Sequence, residues 1–63
     1  MVFKDINRIL CKNGWYVARI NGSHHQYKHK DFSNCVTVPN HGHSDLSINI
    51  LKNLERGTGL SFR

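Results

Sequence analysis

Residues 15–29, with the sequence WYVARINGSHHQYKH, decide the fold of this 63-residue chain. The first six of them are rich in aromatic and β-branched side chains, which predicts a β-strand from Trp15 to Ile20. Asn21-Gly22 follows, and this dipeptide is typical of a tight hairpin turn because both residue types tolerate left-handed backbone conformations. The segment His24 to His29 is therefore predicted to return as a second, antiparallel strand.

The segment before this hairpin predicts a helix. Apolar residues recur there at helical spacing, at Phe3, Ile6, Ile9 and Leu10, and form one stripe of a short amphipathic helix. Asn13-Gly14 is predicted to end it, with Gly14 in a left-handed conformation.

The segment after the hairpin predicts a third strand and a second helix. Residues 30–34 form a second turn, and Cys35 to Val38 form a short strand that Pro39 ends. Residues 40–44 have the composition of a loop. The second helix is expected to begin near Asp45 or Ser47, either of which could serve as its N-cap. Its apolar stripe is formed by Ile50, Leu51 and Leu54, and it is expected to end at Gly57 and Gly59. The order α-β-β-β-α predicts an α+β fold with a three-stranded antiparallel sheet and two helices on one face.

A register follows if both turns hold an even number of residues, centred on 21–22 and on Phe32. The paired residues are then Arg19 with His24, Tyr16 with Tyr27, and Tyr27 with Val36. Alternation along the strands predicts a core face with Tyr16, Ala18, Ile20, His25, Tyr27, Val36 and Val38. The opposite, open face carries Arg19, His24, Gln26, Lys28 and Thr37. Trp15 and Val17 fall on the open face, either at a covered end of it or because a bulge resets the alternation before Ala18.

The composition points to a polyanionic partner. Nine Lys and Arg against four Asp and Glu give a formal net charge of +5, and so dense a positive field attracts nucleic acid by default; the alternative is an inert basic surface. A hydrophobic content of 38% suits one small core, so one domain over residues 1–63 is expected. Two cysteines are too few for a disulfide scaffold. The sequence also contains no secretory signal and no apolar run of membrane length. These features predict a cytoplasmic protein without membrane association.

His24 is the leading candidate for chemistry. An imidazole exchanges a proton near neutral pH, and RNA offers a 2′-hydroxyl beside each phosphate that a positioned base converts into a nucleophile. Arg19 and Lys28, on the same predicted face, would neutralise the phosphate and the charge that develops on it. The alternative is a surface histidine without a task.

The other histidines leave several interpretations open. His25 is predicted to face the core, partly buried and hydrogen-bonded near Val38, and it is the reserve candidate if the register is wrong. The loop 39–43 either lines the same site and contacts RNA or merely connects a strand to a helix. The histidine pairs 41/43 and 25/29 suggest zinc, but no Cys-x-x-Cys accompanies them, so no metal site is predicted.

The run Gly22-Ser23-His24-His25-Gln26-Tyr27 makes the chain resemble the HicA toxin family of bacterial and archaeal toxin–antitoxin systems. Further pieces match in the same order along nearly the whole chain: Asn13-Gly14-Trp15, Arg19, Lys28-His29, Val36-Thr37-Val38-Pro39 with His41, and Leu51 through Gly59-Leu60-Ser61. The resemblance implies a double-stranded-RNA-binding-like α-β-β-β-α fold.

The resemblance also implies an activity and a partner. Family members are metal-independent endoribonucleases that use no cofactor, cleave mRNA and inhibit translation, and a HicB-type antitoxin binds them and masks the active site. The family's catalytic histidine maps onto His24, and His25 stays in reserve because some members place it one position later. The residues expected to bind RNA phosphates are Arg19, Lys28, Ser23 and His41.

One further departure and three alternatives accompany this resemblance. Asn49-Ile50 stands where many members carry Gly-Thr, which favours Ser47 as the cap of the second helix. The alternatives are a non-catalytic RNA-binding module of the same fold, a toxin that has lost its activity but still binds its antitoxin, and a zinc-stabilised interaction domain.

Overall fold

A computed structural model describes residues 1–62, and Arg63, the last residue of the predicted domain, lies outside the described residues. Residues 1–62 form two helices and three strands, in the order α1 (Phe3–Lys12), β1 (Tyr16–Asn21), β2 (His24–Lys28), β3 (Val36–Pro39) and α2 (Ile48–Thr58). The strands form an antiparallel sheet in the order β1-β2-β3. The predicted α-β-β-β-α fold is confirmed, although each strand differs from its predicted bounds by one residue at one or both ends.

Both helices contribute to one apolar core against the same face of the sheet. Buried side chains of α1, α2, β2, β3 and the connecting loops form it: Ile6, Leu10, Trp15, Tyr27, Val36, Val38, Leu46, Leu51, Leu54 and Phe62. Burial of a large apolar side chain stabilises a fold by about 1.5–3 kcal/mol, so each member matters in so small a core. Neither helix within residues 1–62 has the length and apolar character needed to cross a membrane.

The helix ends agree with the sequence except at one glycine. Ser47 is the N-cap of α2, since its Oγ accepts a hydrogen bond from the Ile50 N–H at 3.3 Å, whereas Asp45 pairs with the N-terminal ammonium at 3.3 Å. Gly59, with φ +74°, ends the helix as predicted. Gly57 was expected to end it too, but it lies inside α2, where a Cβ would stand only 2.9 Å from Val36 Cγ1.

The register of β2 with β3 is confirmed, and the register of β1 with β2 is wrong. Tyr27 lies opposite Val36, as predicted. In the first hairpin, however, Asn21 lies opposite His24, so the two turn residues are Gly22-Ser23 rather than Asn21-Gly22. Gly22 has φ +62°, which suits the first central position of a type II′ turn.

A bulge at Ala18 resets the alternation of β1. The pairing passes from Val17–Tyr27 to Arg19–Gln26, so Ala18, predicted on the core face, is the extra residue. The bulge explains Trp15 and Val17: Trp15 is buried in the core, and Val17 shares the core side with its partner Tyr27. Tyr16 was predicted on the core face and lies on the open face instead, because it precedes the bulge.

The helices leave β1 largely uncovered. All six of its residues are exposed. Ile20 lies on the core side, opposite His25, and is still 58% exposed. The sheet therefore has one well-packed half, formed by β2 and β3, and one open edge.

Candidate nucleic-acid interface

The face of the sheet opposite the helices, here the open face, combines cationic, polar and aromatic side chains. Directly opposed residues in neighbouring strands point to the same face, and the observed pairing therefore assigns its members. They are Tyr16, Arg19 and Asn21 of β1, His24, Gln26 and Lys28 of β2, and Thr37 and Pro39 of β3. Every polar residue predicted for this face from the sequence lies on it.

His24 begins the central strand directly after the Gly22-Ser23 turn. It is exposed and lies between Asn21 on one side and Pro39 on the other. The turn itself is tied down, since the Ser23 carbonyl accepts a hydrogen bond from the Asn40 N–H at 2.7 Å. The imidazole is thus presented to solvent from a hydrogen-bonded corner of the sheet.

Arg19 lies on β1, at a level halfway between His24 and Lys28 of the neighbouring strand β2. Its direct partner is Gln26 rather than His24, which corrects the predicted pair. Arg19 is therefore a diagonal neighbour of both His24 and Lys28, at about 7–8 Å between Cα atoms. Lys28 is four residues from His24 along the strand, or about 13 Å. The two cations and the imidazole share one face, but Lys28 stands farther from His24 than Arg19 does.

The loop that follows β3 starts at the His24 end of the sheet. Within it, Asn40 Oδ1 accepts a hydrogen bond from the Gly42 N–H at 3.0 Å, and the His41 carbonyl accepts one from the Ser44 N–H at 3.2 Å. His41 is exposed and lies two residues beyond Pro39, the cross-strand neighbour of His24. The structure thus places the Ser23 turn and the start of the His41 loop at the same corner, while their roles in binding stay predictions.

His25 lies on the opposite side of the sheet from the two cations. Its ring is half-buried and packs against Phe3, with ring centroids 4.6 Å apart, and its residue pairs with Val38 as predicted. The expected hydrogen bond is not made by Nδ1, which is buried and has no partner in the described part of the chain.

His29 has a structural environment that the sequence did not reveal. Its Nδ1 accepts a hydrogen bond from the Asp31 N–H at 3.0 Å, and its Nε2 donates to the Asn13 carbonyl at 3.0 Å. The ring also packs against Trp15 and Phe32, with centroids 5.2 Å and 5.0 Å away. His29 therefore ties the end of α1 to the turn after β2.

Zinc ligands do not gather in the described part of the chain. Among residues 1–62, no three His, Cys, Asp or Glu side chains stand within reach of one metal ion. Cys11 and Cys35 are both free and exposed. The histidine pairs noted in the sequence lack the further ligands that a structural zinc site needs.

Tyr16 is the aromatic residue of the open face, and the sequence pattern did not predict it there; Asn21 and Pro39 also join this face without having been predicted on it. Tyr16 lies opposite Lys28, and 53% of it is exposed. The signal that would have found it is the adjacent pair of aromatics at 15–16, since only one of two neighbours in a strand can enter the core. With Trp15 buried, Tyr16 must point outward.

A family model described as the HicA toxin of bacterial toxin–antitoxin systems matches residues 3–60. A search of curated proteins gives no match. The matched span begins with α1, runs through all three strands and α2, and includes the turn and the open face. The chain therefore belongs to the HicA toxin family, whose members are toxins with an antitoxin partner in bacterial toxin–antitoxin systems.

Proposed function

We propose that this toxin is an endoribonuclease that cleaves mRNA in the cytoplasm and so inhibits translation. The observation that carries the proposal is the common face of His24, Arg19 and Lys28. A proton-transfer group and two cations on one exposed surface suit a phosphodiester that is bound from solvent. Membership of a toxin family gives such a reaction a biological purpose.

In this mechanism, His24 accepts the proton of a 2′-hydroxyl, and the 2′-oxygen attacks the neighbouring phosphorus. The bond from phosphorus to the 5′-oxygen breaks, and that oxygen takes a proton from the imidazolium or from water. The products are a 2′,3′-cyclic phosphate and a free 5′-hydroxyl. Arg19 stabilises the charge that develops on the scissile phosphate, and the more distant Lys28 contacts a phosphate farther along the strand.

The cations in this mechanism come from the chain itself, so the reaction is expected to proceed without a metal ion. A single positioned base accelerates a reaction by about 10²–10⁴-fold. The enzyme is therefore expected to be modest, and its toxicity would rest on the many cleavable bonds that mRNA offers.

Two neighbouring histidines give this proposal a matched test. Purified wild type, His24→Ala and His25→Ala are incubated with single-stranded RNA in the presence of a chelator, and cyclic-phosphate products are measured. We expect His24→Ala to lose activity by about 10²-fold or more, while His25→Ala, which alters the helix side of the sheet, keeps cleavage per folded molecule. Circular dichroism checks that both variants fold.

The reverse result, with activity lost only in folded His25→Ala, would move the base to the reserve histidine. Full cleavage by both variants would remove histidine catalysis. Substrates that carry a 2′-deoxy nucleotide at the scissile position provide a second control, because they retain the phosphates for binding and lack the nucleophile.

The proposed partner is a HicB-type antitoxin that covers the open face. Its support is the family, which implies an antitoxin, and the exposure of His24, which a protein bound on that face would end. The test is competition: antitoxin and a 2′-deoxy RNA should displace each other from the toxin. Simultaneous binding of both would place the antitoxin elsewhere.

A second candidate is an RNA-binding module that does not cut. It is favoured by the same exposed, cationic open face, which suits binding whether or not His24 is activated. It predicts salt-sensitive binding with no cyclic-phosphate product from the wild type in the chelator assay.

A further inference from the structure

Tyr16 is an aromatic side chain in an unusual position for so small a fold. Within the described residues, the exposed large apolar side chains are Tyr16, Val17, Ile20, Phe32 and Ile48. Of these, Tyr16 is the one that the strand pairing puts on the open face. Val17 and Ile20 belong to the core side of β1, and the other two lie outside the sheet.

The backbone around Tyr16 is held from both sides. Trp15 precedes it and is buried, and Val17 follows it and lies opposite the fully buried Tyr27. Because neighbours in a strand alternate, the pairing of Val17 with Tyr27 and of Tyr16 with Lys28 directs the Tyr16 side chain toward the open face. Its exposure is thus built into the strand and is not a consequence of a loose end.

The surroundings of Tyr16 match a single-stranded nucleic acid. Lys28 lies directly opposite it, and Arg19 and His24 follow toward the far end of the same face. Surfaces that bind single strands combine cations along the backbone with aromatic rings on which bases stack. A duplex offers no free base face for such a ring, whereas an unpaired strand does.

We propose that Tyr16 stacks on an unpaired base of the RNA substrate while Lys28 and Arg19 hold its phosphates. This inference rests on the proposed ribonuclease function and adds the residue that would hold an unpaired base of its substrate. The stacked base lies away from the cleaved bond, since the Tyr16–Lys28 pair is about 13 Å along β2 from His24. Stacking uses the face of a base and not its edge, so Tyr16 selects for unpaired nucleotides rather than for one sequence.

The test compares Tyr16→Phe, which retains a ring, with Tyr16→Ala, which does not. On a short RNA with one cleavable bond, we expect Tyr16→Ala to raise KM by about 5- to 150-fold, the range for loss of one stacked base. The value of kcat should change little, and Tyr16→Phe should resemble the wild type. Ile20→Ala is the matched control, because Ile20 is equally exposed on the same strand but lies on the other side of the sheet.

Substrates with an abasic nucleotide locate the contact. An abasic nucleotide at one position, on one side of the cleaved bond, should raise the KM of the wild type as much as the Tyr16→Ala substitution does on the intact substrate. The same abasic substrate should not raise the KM of Tyr16→Ala any further. An unchanged KM in Tyr16→Ala, an equal loss in Tyr16→Phe, or the absence of a sensitive position would overturn the inference.

Binding of a 2′-deoxy RNA, followed by fluorescence anisotropy, separates this inference from the ribonuclease proposal. If the wild type cleaves nothing but Tyr16→Ala binds this probe more weakly than Tyr16→Phe, the stacking contact stands and the catalytic proposal fails. If the wild type cleaves and the three proteins bind equally, the catalytic proposal stands and the stacking contact fails.

Discussion

At the scale of single residues, Tyr27 joins the sheet to α1. Its ring is fully buried, and its hydroxyl donates a hydrogen bond to Asn7 Oδ1 at 2.6 Å. A buried hydroxyl without a partner costs about 1–3 kcal/mol, so Asn7 makes the burial of this ring possible. Burial, followed by electrostatic repulsion from Cys11, raises the pKa of Tyr27 from 10.0 to about 12.

This pKa predicts a loss of stability in alkali. Between pH 10 and about 12 the unfolded chain releases the Tyr27 proton while the folded chain retains it, so rising pH favours unfolding. The stability that Tyr27 contributes is complete below pH 10, and it falls by about 1.4 kcal/mol per pH unit between pH 10 and about 12. In Tyr27→Phe, the free energy of unfolding measured with urea should not show this decrease between pH 10 and about 12.

Tyr16→Phe is the control for this prediction, because its phenol lies exposed on the other face and its removal should leave the slope in place. Other groups also titrate in alkali, so the comparison of the two variants, rather than the wild-type curve alone, isolates Tyr27. An equal slope in Tyr27→Phe and the wild type would contradict the assignment.

The sequence predicted the environments of some residues and missed others. It placed His24 and Arg19 on one exposed face, because that result depends mainly on polar side chains avoiding the core. It misplaced Tyr16, because an aromatic ring is compatible with either face and only the bulge decides. The packing of Phe3 against His25 joins α1 to the sheet, and no local pattern predicts such a contact.

At the scale of elements, α2 packs closely on β3. Gly57 lies inside the helix, and its carbonyl accepts a hydrogen bond from Asn34 Nδ2 at 3.1 Å. A Cβ there would stand 2.9 Å from Val36 Cγ1, a residue that is itself buried. The glycine therefore sets how closely the helix packs on the strand.

The close packing of α2 on β3 predicts that Gly57→Ala lowers the stability of the protein, although the same change usually raises the stability of a helix. At an exposed helical site that change stabilises by about 0.5–1 kcal/mol, but here overpacking against Val36 is expected to destabilise by about 1–3 kcal/mol. Denaturant unfolding measures the difference. Asn53→Ala, an exposed site on α2, should be neutral or slightly stabilising.

The double variant Gly57→Ala, Val36→Ala tests the cause. Val36→Ala leaves room for the new methyl group at residue 57. The double variant should therefore lose less free energy of unfolding than the sum of the losses in the two single variants. Strict additivity, or a stabilising Gly57→Ala, would show that the helix is free to move away from the strand.

The order and type of all five elements followed from helical spacing and turn chemistry, whereas their details did not. Gly22 is a turn residue in both the predicted and the observed hairpin, and the sequence does not say whether it takes the first or the second central position. That choice, together with the bulge at Ala18, shifted the β1–β2 pairing. Gly57 resembles a helix-ending glycine until the neighbouring strand is seen.

At the scale of the whole molecule, the sheet separates two surfaces of different character. One carries the helices and the core, and the other carries the open face of a chain with a formal net charge of +5. Binding of a polyanion to that face releases counterions, so affinity depends on salt. The dependence should come from the cations of the open face rather than from net charge alone.

Charge substitutions should separate these contributions. For single-stranded RNA, Arg19→Gln and Lys28→Gln should each lower the slope of log affinity against log salt by about 0.7, the value for one phosphate contact on a single strand. Lys52→Gln removes the same charge from the exposed surface of α2, on the helix side, and should leave the slope almost unchanged. Equal effects of all three would indicate a diffuse field without a defined RNA path.

The uncovered position of β1 has a consequence for engineering. Every residue of this strand is exposed, so its open-face side chains can be exchanged with little penalty to the core, whereas β2 is constrained by Tyr27. A library that varies Tyr16 and Asn21 and keeps Arg19 would alter the open face while keeping the framework. The edge strand is thus the part of this toxin in which the open face can be changed at the smallest cost in stability.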